Sequence, residues 1–340
     1  MQKIGKRKMK RLRIKIVGAG LAGCSCANIL ADCPMVERID IYEKHDIIGG
    51  LCFDNGEFGL YQYCGPHIFH TSNPKVINYV LKFAEFKPFT NRPIACTDSG
   101  LARLPISIET VKDLKKQSLD DETILDKQCI FDNVIKDYSF KQWGKPADKK
   151  VLDRLKVYEG LSGSYFNDLF EGIPKAGFTK MMLKMLDSFK INVINEEADS
   201  NKGDYELVIW TGPIDEIKGF NEKIEWRGTK FVYHNYDFLA PRLAPVYNMC
   251  SEHFQSTRST DIDQLTGGNS GMILEEFPGG DDKHYPIVEN REKVDRWIGE
   301  KEAEGLYCCG RLGTASYFDM DDTIENAFEV CERIVRKAIK

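Results

Sequence analysis

Apolar and polar positions alternate through residues 13–17 (RIKIV), a period of two that predicts a half-buried strand. The apolar stretch from Leu21 to Ala31 opens inside a glycine turn and reads as a helix. Residues 37–42 (ERIDIY) alternate again, so a β-α-β unit is complete within about 30 residues. From Ser107 to Asp148 the pattern turns helical and charge-rich. Between Trp226 and Phe254, aromatic and β-prone segments are punctuated by Gly, Pro and Asn, which predicts antiparallel sheet. Residues 205–210 (YELVIW) read as a buried strand ending in a turn, and Gly305 to Cys309 as another strand. Asp321 to Ile339 reads as an amphipathic helix that closes the chain. There is no internal repeat and no low-complexity linker. The expected class is α/β, with a nucleotide-binding domain assembled from separated segments and other domains inserted between them.

Composition narrows the function classes. The chain has 340 residues, 42% hydrophobic and 29% charged, and a net charge of −5, which gives no reason to expect a nucleic-acid partner. Basic residues crowd the stretch from Lys3 to Lys15, most simply a solvated tail before the first strand. The uncharged run Ile16 to Ala31 is too short to span a bilayer, and its glycine spacing has a different explanation. The expected location is therefore the cytoplasm, with no membrane partner. The 11 cysteines form no zinc pattern and no disulfide framework, which suits reduced, buried thiols.

Residues 18–23 (GAGLAG) fit G-x-G-x-x-G after a strand and at the opening of a helix, and Glu43 answers them 20 residues after Gly23. Glycines there let backbone amides and a positive helix end approach a pyrophosphate, and the carboxylate accepts from ribose hydroxyls. Residues 43–50 (EKHDIIGG) resemble the second glycine motif of flavoproteins, which favours FAD over NAD. Cys64, His67 and His70 stand at intervals of three, but no second cluster supplies further metal ligands, so no metal is expected.

Residues 65–71 (GPHIFHT) resemble the G-x-H-I-F-H-T signature of UDP-galactopyranose mutases, FAD enzymes that interconvert pyranose and furanose sugar nucleotides. The resemblance continues in order through FTN at 89–91, YSFKQWG at 138–144, YFND at 165–168, GIP at 172–174, TGPID at 211–215 and EWR at 225–227. Asn248, Thr257-Arg258, YPI at 285–287, Gly310-Arg311 and YFDM at 317–320 complete it, across roughly residues 14 to 330. With it, the domain limits read 1–83, 189–221 and 297–340 for a Rossmann-like FAD-binding domain and 106–160 for a short helical domain with a mobile loop. An antiparallel sheet domain for substrate takes 84–105, 161–188 and 222–296. Two departures stand out. The segment between Pro105 and Trp143 is shorter than in typical bacterial members, where it often carries the contact of a homodimer. The loop pattern R-[IL]-P-x-R appears as RLKVY at 154–158, keeping Arg154 but placing Lys156 and Tyr158 where proline and the second arginine are usual.

The resemblance implies a redox-neutral reaction that needs reduced FAD, whose N5 attacks the anomeric carbon and displaces UDP. Partners follow: a UDP-sugar, and NAD(P)H or a reductase as external reductant. Arg154 and Arg258 are the expected diphosphate clamps, because a guanidinium is a permanent, planar, two-pronged donor. Hydroxyls of Tyr165, Tyr285 and Tyr317 assist. Tyr138 and Trp143 would border the base and sugar, with ordinary core aromatics as the competing reading. Asn91 and Asn248 are uridine or ribose contacts or else turn residues, and Arg227 shapes the site without touching phosphate. On the cofactor side the resemblance assigns Gly18, Gly20, Ala22, Gly23, Glu43, Lys44, Gly50, Leu51, His67 and Ile68. It also assigns Arg311 and the start of the last helix, with Asp319, Met320, Asp321, Thr323 and Ile324, whose positive end would favour anionic reduced flavin. His67 sits beside the ring in this reading, with a satisfied structural histidine as its rival.

Three other readings compete. The same chemistry could act on an N-acetyl, deoxy or pentose nucleotide sugar. A flavin amine oxidase would share the N-terminal motifs but not explain Arg154, Trp143 and Arg258 in register. A non-catalytic FAD-binding homologue would have no reason to keep the diphosphate arginines. Neither a paired-carboxylate glycosidase site nor a G-x-S-x-G elbow is present.

Overall fold

A computed structural model describes residues 11–55, 61–62, 65–116, 126–147, 163–235 and 242–339. The alternating segment forms the strand Leu12–Val17, at the centre of a five-stranded parallel sheet. Its order is Ile191–Ile194, Val36–Tyr42, Leu12–Val17, Leu207–Trp210 and Leu306–Cys308. Ile14, Ile16, Ile39 and Ile41 are fully buried beneath the helices Leu21–Ala31 and Met320–Ile339. The last helix buries Thr323, Ile324, Ala327, Val330, Cys331 and Ile334, spaced for one helical face. Lys190 Nζ donates to the carbonyls of Ala31 (2.7 Å) and Cys33 (3.0 Å), satisfying acceptors left by the end of the first helix.

The opposite face of this sheet is divided: Val17, Val208, Trp210 and Cys308 bury a second apolar cluster on one side, and polar groups occupy the other. Lys15 Nζ lies 3.3 Å from Asp199 Oδ1, and Asp40 accepts from Tyr205 (2.9 Å), Arg38 (2.8 Å) and Asn192 (3.1 Å). Parallel sheets usually bury apolar side chains on both faces. Here a hydrogen-bonded network takes that place only around Lys15 and Asp40.

The second sheet has six strands, in the order Thr229–Asn235, Met272–Pro278, Arg258–Asp261, Val246–Met249, Ile94–Thr97 and Gly100–Arg103. The expectation of a wholly antiparallel sheet is corrected at one ladder, because Val246–Met249 runs parallel to Ile94–Thr97. No hairpin joins those two strands, so nothing local imposes the antiparallel direction. The segment read as one sheet between Trp226 and Phe254 also divides. Ile224–Arg227 pairs with Tyr285–Val288 in a separate ribbon, while Thr229–Asn235 joins the six strands. Helices Ile108–Lys115, Lys127–Ile130 and Lys136–Trp143 occupy the charge-rich region, the last two joined by the π-helical turn Phe131–Ile135. Among the described residues no helix is long and apolar enough to cross a membrane.

Candidate active site

The first strand ends at Val17, and Gly18 turns the chain with φ +101°, a conformation that favours glycine. Thr211 Oγ1 donates to the carbonyl of Val17 at 2.8 Å, locking the turn to the neighbouring strand. Gly20 caps the first helix without any side-chain bond, so the opening N–H groups keep their capacity for an anion. A Cβ placed on Gly20 would find its nearest neighbours at 3.8 Å, in the second glycine segment, Gly49 and Gly50. That segment is held alongside by Gly49 N, which donates to Ala19 O at 3.0 Å. Open space, unclaimed N–H donors and a helix end together fit a pyrophosphate.

Glu43 is buried and clasps main chain on both sides. Its Oε2 accepts from Ala19 N (2.8 Å) and its Oε1 from His45 N (3.0 Å), tying the two glycine segments together. Each oxygen retains a further lone pair for hydroxyls. Lys44 is exposed, Leu51 is half-buried, and Ala22 packs against Gly310. The side chains of Ile68 and Ile324 lie in the core of this domain, so only their main chain is available to a ligand. At the last helix, Asp322 Oδ2 accepts from Asp319 N at 2.9 Å, so the capping reading holds there, and Met320 is half-buried. Burial holds the Asp321 carboxyl above its ordinary value, while a hydrogen bond from Thr71 opposes that shift.

His67 joins the two ends of the site. Its Nδ1 lies 2.8 Å from Gly65 O, which makes Nδ1 the protonated nitrogen of the neutral ring. Burial, then the positive charges of Arg311 and Arg258, push its pKa down to about 4. The unfolded chain takes up this proton near 6.5 and the folded chain only near 4, so folding stability falls as pH drops through that interval. His67→Asn is expected to flatten the fall in melting temperature between pH 6.5 and 4. A variant that tracks the parent across the whole interval would remove His67 as a source of the effect. Turnover should show no His67 limb between about pH 5 and 8.

The other end of the candidate site gathers segments distant in the chain. Arg258 Nη2 donates to Tyr138 Oη at 3.2 Å, and Nη1 lies 3.5 Å from Glu276 Oε1. Asn248 stands opposite Arg258 on the neighbouring strand. Trp143, Tyr285 and Tyr317 form a cluster with ring centroids 5.8 to 6.0 Å apart. Arg311 lies over Tyr285 and Tyr317 at 5.3 and 5.2 Å, and both Nε and Nη2 donate to Phe318 O, at 2.8 and 2.6 Å. Arg227 ion-pairs with Glu225 at 2.9 Å and lies against Gly144, just past Trp143. Tyr165 N donates to Asn91 O at 2.8 Å, which brings the FTN and YFND segments together. Burial raises the phenols of Tyr165 and Tyr317 and pushes Tyr285 up to about 12, so all three remain neutral donors at physiological pH.

Three of the five buried side-chain atoms that lack a partner among the described residues belong to predicted site residues: Asn91 Oδ1, Arg227 Nε and Arg258 Nε. Such atoms are costly unless something else satisfies them. Arg154, with Lys156 and Tyr158, lies outside the described residues, as does Cys64. Glu276 was not anticipated. Burial holds its carboxyl above the usual range, and Arg258 partly opposes that. The available signal was its place two residues after buried Leu274 on one strand, which puts a carboxylate at an inward position. Arg291 was also missed. Its Nη1 donates to Thr314 O (2.9 Å) and Ala315 O (3.0 Å), fixing the loop just ahead of Tyr317.

Comparison with known proteins places this arrangement. A model of the UDP-galactopyranose mutase family matches residues 133–317, which contain the whole aromatic and arginine cluster described above. The chain belongs to the UDP-galactopyranose mutase family. It is thus an isomerase. A UDP-galactopyranose mutase of Mycoplasma genitalium (strain G37) is 30% identical over 373 residues, covering 92% of each chain. A dTDP-fucopyranose mutase of Escherichia coli is 28% identical over 377 residues, covering 95% of this chain and 98% of the other. The crystal structure of a reduced UDP-galactopyranose mutase superposes with TM-score 0.77 at 15% identity, over 97% and 96% of the two chains, and supports the fold. A model of an NAD(P)-binding Rossmann-like domain matches residues 16–83, where the two glycine segments of this mutase-family chain lie side by side. The helix Lys136–Trp143 and the aromatic and arginine cluster thus fall within the family's own model, and the two glycine segments within a more general one.

Proposed function

We propose that the chain binds FAD in the cradle of Gly18, Gly20 and Glu43 and interconverts pyranose and furanose forms of a nucleotide sugar, UDP-galactopyranose and UDP-galactofuranose first. The observation that carries this reading is the convergence of Arg258, Tyr138, Trp143, Tyr285, Tyr317 and Arg311 around one site next to His67. The reduced flavin, when bound, supplies the nucleophile, its N5, to the anomeric carbon. The remaining work falls to the protein. Arg258 binds the diphosphate through its free edge and offsets the charge that builds up as UDP departs. Neutral Tyr165, Tyr285 and Tyr317 donate to phosphate oxygens without adding charge. Trp143 and the tyrosine rings border base and sugar and exclude water. Neutral His67 keeps a second positive charge away from the flavin edge. Arg154 is assigned as the second diphosphate arginine from its motif position, and reduction is assigned to NAD(P)H or a reductase.

The test is chromatography of UDP-galactofuranose incubated with the flavin-loaded protein, oxidised or reduced by dithionite. Conversion to the pyranose only when reduced is the expected result. Conversion by the oxidised form would overturn the need for reduced flavin. A second reading keeps the mechanism but changes the sugar. It is favoured by the similarity to a dTDP-fucopyranose mutase and by Lys156 and Tyr158 in the loop. A panel including dTDP-fucose forms separates the two, since this reading expects faster turnover of the deoxy sugar.

A further inference from the structure

The helix Lys136–Trp143 carries Tyr138 and Trp143, yet none of its side chains is buried. Phe140 is 54% exposed. Apolar packing holds its first turn, where Tyr138 lies against the cluster of Ile130 and Val134, and leaves its later residues loosely held, although Tyr138 has to meet Arg258 at 3.2 Å and Trp143 has to meet Tyr285 and Tyr317. A polar contact completes the attachment.

Lys141 supplies the anchor. It stands three residues after Tyr138, on the same side of the helix. Its Nζ donates to four main-chain carbonyls: Met249 (2.7 Å), Ser251 (2.9 Å), Phe254 (3.0 Å) and Ser256 (3.0 Å). These carbonyls belong to the connection between the strands Val246–Met249 and Arg258–Asp261, closed by Met249 N donating to Thr257 O at 2.9 Å. Asn248 precedes the first carbonyl by one residue, and Arg258 follows the last by two. A compact ammonium can share its three protons among four converging oxygens. A planar guanidinium, whose donors lie in one plane, cannot.

We propose that Lys141 is a positioning residue for nucleotide-sugar binding, its ammonium pinning the helix of Tyr138 and Trp143 to the hairpin of Asn248 and Arg258. The inference rests on the diphosphate reading of this site given above. Burial lowers the Lys141 pKa, as expected for a cation withdrawn from water, and the carbonyl dipoles offset that cost.

The experiment titrates the flavin-loaded parent, Lys141→Met and Lys141→Arg with UDP by calorimetry, and measures kcat and KM on the reduced enzymes. Flavin content is expected to stay at the parent level. The UDP Kd should rise about tenfold or more in Lys141→Met and several-fold in Lys141→Arg, with KM rising more than kcat falls. In Lys141→Ala, ammonium chloride should recover part of the UDP affinity, and tetramethylammonium chloride at the same ionic strength should not. Should Lys141→Met fail to retain flavin, Lys141→Arg, which keeps charge and stem, decides. A parent that binds UDP with variants within twofold of it would overturn the positioning role. A parent that binds no UDP would overturn the diphosphate reading instead, and this inference with it.

Discussion

Arg258→Ala is expected to lower turnover by about 10²–10³-fold while the flavin stays bound, the loss typical when one preorganised donor to a developing oxyanion is removed. Two effects combine. The departing UDP loses a permanent cation whose Nε has no partner among the described residues and whose Nη2 donates to Tyr138. Glu276 meanwhile loses the Arg258 charge that opposes its burial, so its carboxyl, already above the usual range, is driven further up towards the neutral form. Arg258→Lys keeps the charge but not the two-pronged geometry and should fall between parent and alanine variant. The check is kcat and KM on dithionite-reduced enzyme beside the flavin-to-protein ratio. Unchanged turnover at full flavin occupancy would remove Arg258 from the chemistry. Lost flavin would move its role to the fold.

Much of this arrangement was legible in the sequence because it depends on short-range regularities. A period of two gave the strands around Ile14, Ile16, Ile39 and Ile41, and the glycine spacing located the turn at Gly18. The motif positions of Tyr138, Trp143, Tyr285, Arg258 and Tyr317 fall around one site. What stayed hidden depends on partners distant in the chain. Lys141 stood inside the YSFKQWG motif with no role assigned, because its four acceptors are carbonyls more than a hundred residues away. Carbonyls carry no side-chain signature. Glu43 read as a ribose ligand, whereas its tie between Ala19 and His45 requires the two glycine segments to be side by side. The parallel ladder between Ile94–Thr97 and Val246–Met249 escaped for a related reason, since alternation fixes which face a residue takes and leaves strand direction open.

Methyl groups at two glycines of the first turn should have opposite consequences, and the contrast tests the cradle itself. A Cβ on Gly23 would lie 2.0 Å from the carbonyl oxygen of Gly18 and 3.3 Å from Ile16 Cγ2, so the first helix could not stay in place. Backbone cannot yield as a flexible side chain does, and Gly23→Ala should cost at least about 1–3 kcal/mol, the scale of overpacking a tight core. Gly20 differs. Its φ of −78° is ordinary for alanine, and the nearest atoms to a Cβ are 3.8 Å away. Gly20→Ala should therefore fold, with a melting temperature of the flavin-free protein close to the parent's. The new methyl faces Gly49 and Gly50 and narrows the gap beside the helix N-terminus, where a pyrophosphate would draw on bare N–H groups. Displacing it should forfeit one charge-assisted hydrogen bond of about 1.5–3 kcal/mol, roughly a ten- to hundredfold loss of FAD affinity. Reconstitution with FAD followed by absorbance, beside calorimetry of the flavin-free proteins, reads both effects. If Gly20→Ala held flavin as tightly as the parent, the diphosphate would have to lie elsewhere along the turn. The tie between Glu43 and Ala19 would then be a purely structural clasp.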